Sequence, residues 1–498
     1  MGLTRIEPRP AVPAGPYLIA GLRRAGSAAA RALLERRPAE GLAAWDAERR
    51  TDTSAAAAEL ESVGVEVVLG GDGLELLRSR PAPRCLVKSP GVPFESKLVA
   101  GALERGLNMI DEAELGWRLD SRPVVGVTGT NGKGTSAAAV LTALAAAGLD
   151  PILAGNTFFG PPLSEAVGVP GGLVVAELSS FQLAGSPTLL PEASLLTNLG
   201  QQHWDWHGSR EAYVQAKRRM FVRGEQAVPV AAVNGDDAEG RRLARDVERR
   251  GGRVVTYGTT DRADYRLLRC DWSLDRSRVR LATPSGEREL ETRLVGEHNA
   301  LNLTGAFALV ATLGLGAEAV AGTEPLPGRF EPVRAGQPFT LVVDFAHNPD
   351  GVAAVLRTAR RIVKPPGRLL ALTAPLWVHD ADMRCATVRT VRALADYAVV
   401  TTQRWRAEEP LAPPPDVIDA ARAPEGCACT VVNDRAAAIQ RIVAEARPGD
   451  AVFVLGRGAG PFPLYDSDGE PQPFDDREVA AAAVSRGLRA RHGQWSAT

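Results

Sequence analysis

The sequence predicts an α/β fold of three successive units. Three observations carry that class. Short apolar runs of strand length alternate with helical patterns from end to end. Glycine-bearing turns follow several of those runs, where open parallel sheets bind ligands. The chain has 498 residues, and at ~100–200 residues per domain that allows about three domains.

The first unit opens with an apolar strand over 17–20, then Gly21-Leu22-Arg23-Arg24-Ala25-Gly26-Ser27 and a helical pattern over 28–34. A second strand ends at Trp45-Asp46. Strand, glycine turn, helix, strand and acidic residue form the layout of a nucleotide-binding βαβ unit. The glycines lack a full GxGxxG pattern, so an ordinary tight βα turn accounts for them equally well. Strands over 65–69 and 85–88 follow. Ser89-Pro90-Gly91-Val92-Pro93 then makes a turn at a strand's C-terminal end.

Pro123 starts the second unit. A strand over 124–127 runs into a glycine loop over 128–133 and an alanine-rich helix over 136–147. Strands over 172–176, 193–197 and 231–234 follow, and a helix over about 298–313 closes the unit. A Pro/Gly-bearing linker spans 322–328. Beyond it, buried-type strands over 340–344, 368–372, 397–401 and 451–455 alternate with helical patterns, a further parallel sheet. The expected domains are 1–122, Rossmann-like; 123–327, a central P-loop ATPase-type parallel sheet; and 328–498, a second Rossmann-like α/β domain.

Composition excludes several classes. The 58 basic residues balance 59 acidic ones, so neither nucleic acid nor a membrane surface is an expected partner. No run of ~18 apolar residues predicts membrane insertion, and residues 1–16 lack a signal-peptide core. Five cysteines, an odd number without zinc spacing, suit a reducing compartment. A cytoplasmic monomer is expected. Only five of the 58 basic residues are lysines: Lys88, Lys97, Lys133, Lys217 and Lys364. A lysine that remains among so many arginines is a candidate for chemistry that guanidinium cannot do.

The strongest motif is Gly126-Val127-Thr128-Gly129-Thr130-Asn131-Gly132-Lys133-Gly134-Thr135. Between a strand and a helix, such a loop cradles phosphate with backbone N–H groups and the helix N-terminus. Lys133 supplies a compact charge to the phosphoryl group. Gly134 stands where a hydroxyl residue usually follows the lysine, so Thr135 is the candidate hydroxyl for Mg²⁺.

Glu177 ends a buried strand, a position suited to a metal ligand, although many such glutamates only cap a helix. His203 is a candidate for a second metal or a substrate oxygen. His207, near Gly208-Ser209, is read as capping the next helix or lying on the surface. That helix continues through Lys217 to Phe221. Two arginines follow Lys217 directly. Either its amine reacts with CO₂ to give a carbamate, an anionic metal ligand, or it is an ordinary exposed helix lysine.

These residues resemble the Mur ligases, the ATP-dependent amide-forming family of peptidoglycan synthesis, over nearly the whole chain. The loop Gly129 to Lys133 is similar to the family's ATP loop, and Gly155-Asn156 to its substrate-contacting pair. The stretches from Glu177 through Ser180 to Leu183 and from Ser89 to Pro93 resemble most the branch that adds glutamate to UDP-N-acetylmuramoyl-L-alanine. The resemblance implies that Lys217 is the carbamylated lysine, with Glu177, His203 and Thr135 beside it at Mg²⁺. It also implies that Lys133 and Thr135 meet the phosphates, and that Asn299, Arg329 and Asp344 meet ATP.

It further implies a UDP-linked sugar-peptide substrate on the first domain. Gly21, Leu22, Arg23 and Ser27 would meet the diphosphate, and Asp46, Ser89 and Gly91 the uridine or ribose. Asn156, Ser180 and His347 complete the substrate contacts, with Lys88 at the uridine turn either a contact or a surface residue. A free amino acid is the second substrate.

The third domain departs from the glutamate-adding pattern. Asp344-Phe345-Ala346-His347-Asn348-Pro349 is similar to the folylpolyglutamate, cyanophycin and third-residue-adding ligases. Thr402-Gln403-Arg404-Trp405-Arg406 replaces the Asp-Asn-Pro-Arg of the last of these. Thr373 to Trp377 replaces the lysine-bearing glutamate loop. No lysine follows Lys364, so Arg384, Arg404 and Arg457 are the candidates for the incoming carboxylate. Gln202 stands where relatives commonly have aspartate. Two alternatives stay open: a relative that acts on another carboxylate, and a non-catalytic nucleotide-binding protein.

Overall fold

Near-continuous runs of β-branched and aliphatic residues form strands buried on both faces, the signature of parallel sheets covered by helices. Leu173–Glu177 and Ala451–Leu455 are buried along their whole length. The structure, a computed structural model, describes residue 3 and residues 8–376, 380–460 and 462–495. Trp377 and His379 lie outside the described residues. The chain divides into two compact units. One holds residues 1–199, 206–266 and 303–320; the other holds 200–205, 267–302 and 321–498.

The first unit carries a five-stranded sheet of β1 (Tyr17–Ala20), β2 (Leu42–Asp46), β3 (Glu66–Leu69), β4 (Cys85–Lys88) and β5 (Asn108–Asp111). Its order is β3-β2-β1-β4-β5, all parallel. The chain winds one way from β1 to β3 and the other way through β4 and β5. That reversal leaves a crevice between the ends of β1 and β4, the place where such sheets bind ligands. The two predicted turns meet there, with the Ser89 N–H donating to Ala20 O at 2.8 Å.

The same unit holds most of a second sheet: β6 (Val124–Thr128), β7 (Pro151–Gly155), β8 (Leu173–Glu177), β9 (Ala193–Leu196), β12 (Val230–Asn234), β13 (Arg253–Gly258) and the start of β14 (Tyr265–Trp272). A small antiparallel ribbon, β10 (Val222–Arg223) with β11 (Gln226–Ala227), precedes β12. The parallel order runs β14-β13-β12-β9-β6-β8-β7.

In the second unit, β15 (Ser277–Thr283) and β16 (Gly286–Thr292) form an antiparallel hairpin. A third sheet there contains β17 (Glu331–Pro332), β18 (Thr340–Asp344), β19 (Leu369–Thr373), β20 (Tyr397–Val400), β21 (Ala428–Val431) and β22 (Ala451–Leu455). Its order is β17-β18-β22-β19-β20-β21, parallel except for the edge strand β17.

Each sheet draws its strands from one of the three expected segments, so the α/β class holds. Three details differ from expectation. The loop helix runs over Lys133–Ala146 and starts before residue 136, because Gly132, in a left-handed turn at φ +83, already directs the chain into it. The helix bearing Lys217 ends at Arg218, before Phe221. The charged hairpin β15–β16 gave no apolar run to read. Among the described residues no helix is long and apolar enough to cross a membrane.

Candidate active site

In the first unit the loop between β6 and the helix Lys133–Ala146 is held from below. The Thr130 N–H donates to Asn198 O at 2.8 Å and the Asn131 N–H to Asn198 Oδ1 at 2.9 Å. Thr197 Oγ1 and Asn198 Nδ2 both donate to Asn131 O, at 2.6 and 3.0 Å. Gly129 takes φ +152, and a Cβ there would lie 1.8 Å from Thr197 Oγ1, so only glycine fits. The loop is therefore fixed before any ligand arrives, as anion binding by backbone N–H groups requires.

The chemistry-bearing side chains gather at this loop. Lys133 starts the helix and its ammonium donates to Thr130 O at 3.0 Å. Thr130 Oγ1 pairs with the Tyr213 hydroxyl at 2.6 Å. Lys217 is not an exposed helix lysine. It is buried, donates to Gly129 O at 2.8 Å, and lies 4.9 Å from the Tyr213 ring centroid. Burial drives its pKa well below the ordinary lysine value, the Lys133 charge adds to that, and Glu177 opposes it.

Glu177 ends β8, buried, and is no helix cap. Ser179 caps the next helix, Ser180–Ala184, through a reciprocal box with Gln182. Asn156 donates its backbone N–H to Glu177 O at 2.7 Å and its side-chain amide to Glu177 Oε1 at 3.5 Å. Gly155, at φ +95, leaves room for that approach: a Cβ would come 2.3 Å from Glu177 O. Ser180, the first residue of the helix, is buried.

The donor set suits Mg²⁺ of one kind. Among the described residues no cluster of three or more His, Cys, Asp or Glu side chains forms a cage. One carboxylate, Glu177, and one hydroxyl, Thr135, fit a hard cation that takes its remaining ligands from phosphate and water.

His207 neither caps a helix nor lies free on the surface. Ser209 is the cap, accepting from Ala212 N. His207 stacks on Phe181 and meets Trp206 and Tyr213 edge to face. Burial, with the Lys217 and Arg219 charges behind it, pushes its pKa down to about 4.

The first sheet gives the proposed carrier residues a different first task. Asp46 Oδ2 accepts the Leu22 N–H at 2.7 Å and Oδ1 accepts the Glu48 N–H at 2.9 Å. The Ser27 hydroxyl donates to Leu22 O. Asp46 and Ser27 thus build the turn that presents Gly21, Leu22 and Arg23. Arg23 is exposed, beside Asp52 at 3.5 Å. Ser89 is buried and Gly91 exposed at the tip of its turn. Lys88 is not a surface residue: it is fully buried against Asp111, 3.6 Å away.

The second unit holds the remaining candidates. Asp344 ends β18, and its two oxygens accept the N–H groups of Phe330 and Ala346, both at 2.7 Å. Burial raises its pKa and the Arg329 charge opposes the rise. The Arg329 guanidinium lies 4.2 Å from the centroid of the Phe345 ring. Asn299, in the first turn of the helix Glu297–Thr312, donates to Val295 O, just ahead of that helix, at 2.9 Å. His347 bonds through Nδ1 to Phe345 O at 2.9 Å and through Nε2 to Gln202 at 3.0 Å. His203 adopts φ +59, a conformation rare outside glycine. The first unit thus brings Lys133, Lys217, Glu177 and Asn156 together; Thr135 lies two residues beyond Lys133 in the loop helix, and His203 belongs to the second unit.

Of the three arginines named for an incoming carboxylate, two are occupied. Arg404 donates to the carbonyls of Ala407, Glu409, Tyr465 and Asp466. Arg384 forks onto Asp416 at 2.9 and 3.2 Å. Arg457 is fully buried, and none of its guanidinium nitrogens has a hydrogen-bond partner. It lies two residues past the end of β22, and the intervening Gly456 N–H donates to Asp344 O at 3.0 Å. Strand order reverses around β22 too, the ligand-binding position of such a sheet. The residues that sequence reasoning missed are the loop holders Thr197, Asn198 and Tyr213. Thr197 ends a predicted strand, Asn198 follows it and Tyr213 lies on the helix of Lys217, but only long-range pairing reveals their task.

Comparison with known proteins agrees. A Mur ligase middle-domain model matches residues 127–310, and a Mur ligase glutamate-ligase-domain model matches 328–458. The UDP-N-acetylmuramoyl-L-alanyl-D-glutamate–2,6-diaminopimelate ligase of Chromobacterium violaceum is 33% identical over 390 residues, covering 73% of this chain and 77% of its own. The chain belongs to the Mur ligase family. The ligase of the same description from Thermosynechococcus vestitus is 32% identical over 419 residues, 79% of this Mur ligase and 82% of the relative. The MurF ligase of Thermotoga maritima, solved in complex with ADP, shares the fold at a TM-score of 0.58 and 16% identity, covering 96% of each chain.

The expected branch needs correction. Short motifs pointed to glutamate addition, whereas these relatives are named for addition of diaminopimelate. Two stretches of a few residues carried the first reading; similarity over most of the chain outweighs them.

Proposed function

We propose that this Mur ligase is an ATP-dependent, ADP-forming acid–amino-acid ligase of peptidoglycan precursor synthesis. It works as three domains, for the UDP-linked sugar-peptide, ATP and the amino acid in turn. The observation that carries the reading is the phosphate loop pinned by Thr197 and Asn198, with Lys133 and Lys217 both donating to its carbonyls and Glu177 in electrostatic reach of Lys217.

A carboxylate oxygen of the UDP-linked substrate attacks the γ-phosphorus of ATP. The bond to the bridging oxygen breaks, and its electron pair leaves with ADP. The amine of the incoming amino acid then attacks the acyl carbon, the C–O bond breaks, phosphate departs and the amine proton passes to solvent. The loop N–H groups and Lys133 hold the phosphates and neutralise developing charge. Thr135 and Glu177, with His203 and a carbamylated Lys217, would hold Mg²⁺, which supplies further charge neutralisation when bound. Arg329 and Asp344 take ATP from the third domain, Asn299 takes its base, and His347 contacts the substrate.

The amino acid's carboxylate goes to Arg457, the buried guanidinium whose nitrogens have no hydrogen-bond partner. The names of the relatives favour UDP-N-acetylmuramoyl-L-alanyl-D-glutamate with diaminopimelate as the first pair to test, and UDP-N-acetylmuramoyl-L-alanine with D-glutamate as the second. ADP release measured with each pair, with products read by mass spectrometry, decides between them. Release that depends on both an acid and an amine supports the ligase reading. No acid-dependent release with either pair, each extended to a panel of amino acids, overturns it.

A further inference from the structure

The turn after β4 is folded around a buried ammonium. Lys88 Nζ is within reach of the carbonyl oxygens of Ser89, Pro90 and Val92, at 3.0, 3.4 and 3.2 Å. Three carbonyls drawn onto one cation fix the peptide planes of the turn and leave Gly91 exposed at its tip. The rings of Phe94 and Trp206 close the site, with centroids 5.1 and 5.7 Å from the nitrogen. A guanidinium is a flat fork; an ammonium is a compact charge that three carbonyls can surround. This explains why the position holds one of five lysines among 58 basic residues.

The counter-ion ties the turn to the central sheet. Asp111 Oδ2 lies 3.6 Å from Lys88 Nζ, and both side chains are wholly buried. Asp111 Oδ1 caps the helix Glu112–Leu119 by accepting the Ala113 N–H at 3.0 Å. The Asp111 N–H donates to Gly185 O at 2.7 Å, and Gly185 ends the helix of Ser180, just beyond Glu177. Burial disfavours the charged form of each group, and the opposite charge of its partner opposes that shift. A buried pair with this desolvation cost is weak evidence for stability alone. It contributes shape.

We propose that Lys88 is a positioning residue for the carboxylate-bearing substrate: it moulds the 89–92 turn, at the crevice between β1 and β4, into the surface that receives the carrier's uridine nucleotide. The inference rests on the reading that the first domain binds a UDP-linked substrate. Lys88 itself touches no ligand; it acts through the turn.

The test uses the full-length enzyme with UDP as the probe and ADP as the internal control, by calorimetry, alongside steady-state kinetics. Lys88→Met removes the cation. Because that leaves a buried carboxyl unpaired, Lys88→Met/Asp111→Asn is made as well; asparagine keeps the helix cap and brings no charge. Both variants are expected to lose UDP affinity by at least about tenfold. The KM for the UDP-linked acid rises equally, while kcat, the KM for ATP and ADP affinity stay within about twofold. A folded double variant that binds UDP as the wild type does overturns the proposal. So does loss of UDP and ADP affinity together, which marks a general structural role. Wild-type enzyme that binds ADP but not UDP overturns the reading beneath it instead, and the proposal with it.

Discussion

The ammonium of Lys217 lies 2.8 Å from the carbonyl oxygen of Gly129, so the lysine that sequence marked as reactive is packed against the first glycine of the phosphate loop. Burial there lowers its pKa well below the ordinary lysine value, which favours the neutral amine, the form whose lone pair attacks the carbon of CO₂ and then gives up a proton. Lys217→Ala is expected to lower kcat by about 10²–10³-fold, the scale of losing one preorganised electrostatic group, and formate or acetate at high concentration restores part of it. Lys217→Arg keeps a charge but cannot form a carbamate, and is expected to be equally impaired. Full activity in Lys217→Arg, measured by ADP release, rules the carbamate out.

Arg457 gives a prediction in which stability and function part company. A buried guanidinium whose nitrogens make no hydrogen bond costs the free enzyme stability, and its burial beside Arg435 lowers its pKa to about 10, with Asp476 and Asp475 opposing. Arg457→Met is expected to raise the KM for the amino acid by about tenfold or more, while the melting temperature of the free enzyme holds or rises. A fall in melting temperature with an unchanged KM assigns the residue to the scaffold instead.

Arg435 and Asp476 are the contrasting case. They form a fork at 2.8 and 2.6 Å, both side chains fully buried. Removing one partner strands a buried charge, so Arg435→Met is expected to cost about 3–5 kcal/mol. Arg435→Met/Asp476→Leu recovers most of it, since the pair as a whole is worth far less than breaking it. Denaturant melts of the three proteins measure the difference. A double variant as unstable as the single one would show that the pair itself holds the domain.

His207 and His298 set a pH window. Burial lowers both pKa values to about 4, so each is neutral in the folded enzyme. Between about 4 and the unfolded value near 6.5 the unfolded chain holds more protons, and stability rises with pH. The contribution is whole above about pH 6.5 and is lost as pH falls towards 4. Melting temperatures across that range should drop on acidification, and His298→Gln should flatten part of the slope. A slope unchanged by the substitution removes His298 from the explanation.

What was legible in sequence was local. The glycine loop, the strand-end Glu177 and the crossover pattern of three α/β units each lie in one contiguous stretch, where periodicity and turn chemistry act directly. The loop's supports were not legible, because Asn198 and Tyr213 meet it only after β9 and a helix fold back beside β6. Asp46 and Ser27 read as ligand contacts because their types suit a ribose or a phosphate; folding gives both a backbone partner first. Lys88 could not be placed at all, since burial is a property of Phe94, Asp111 and Trp206 as much as of the lysine. The branch was misread because motifs of a few residues are shared within a family while the amino-acid pocket diverges.

The most direct check on the ligase reading is ADP release by the intact enzyme, supplied with ATP, Mg²⁺ and UDP-N-acetylmuramoyl-L-alanyl-D-glutamate, with and without diaminopimelate. Release is expected only with both co-substrates, together with a product heavier than the UDP-linked acid by the amino acid less one water, and none of this with Lys133→Ala. Release indifferent to the acid and the amine, or undiminished in Lys133→Ala, would leave the chain a nucleotide-binding relative without ligase chemistry.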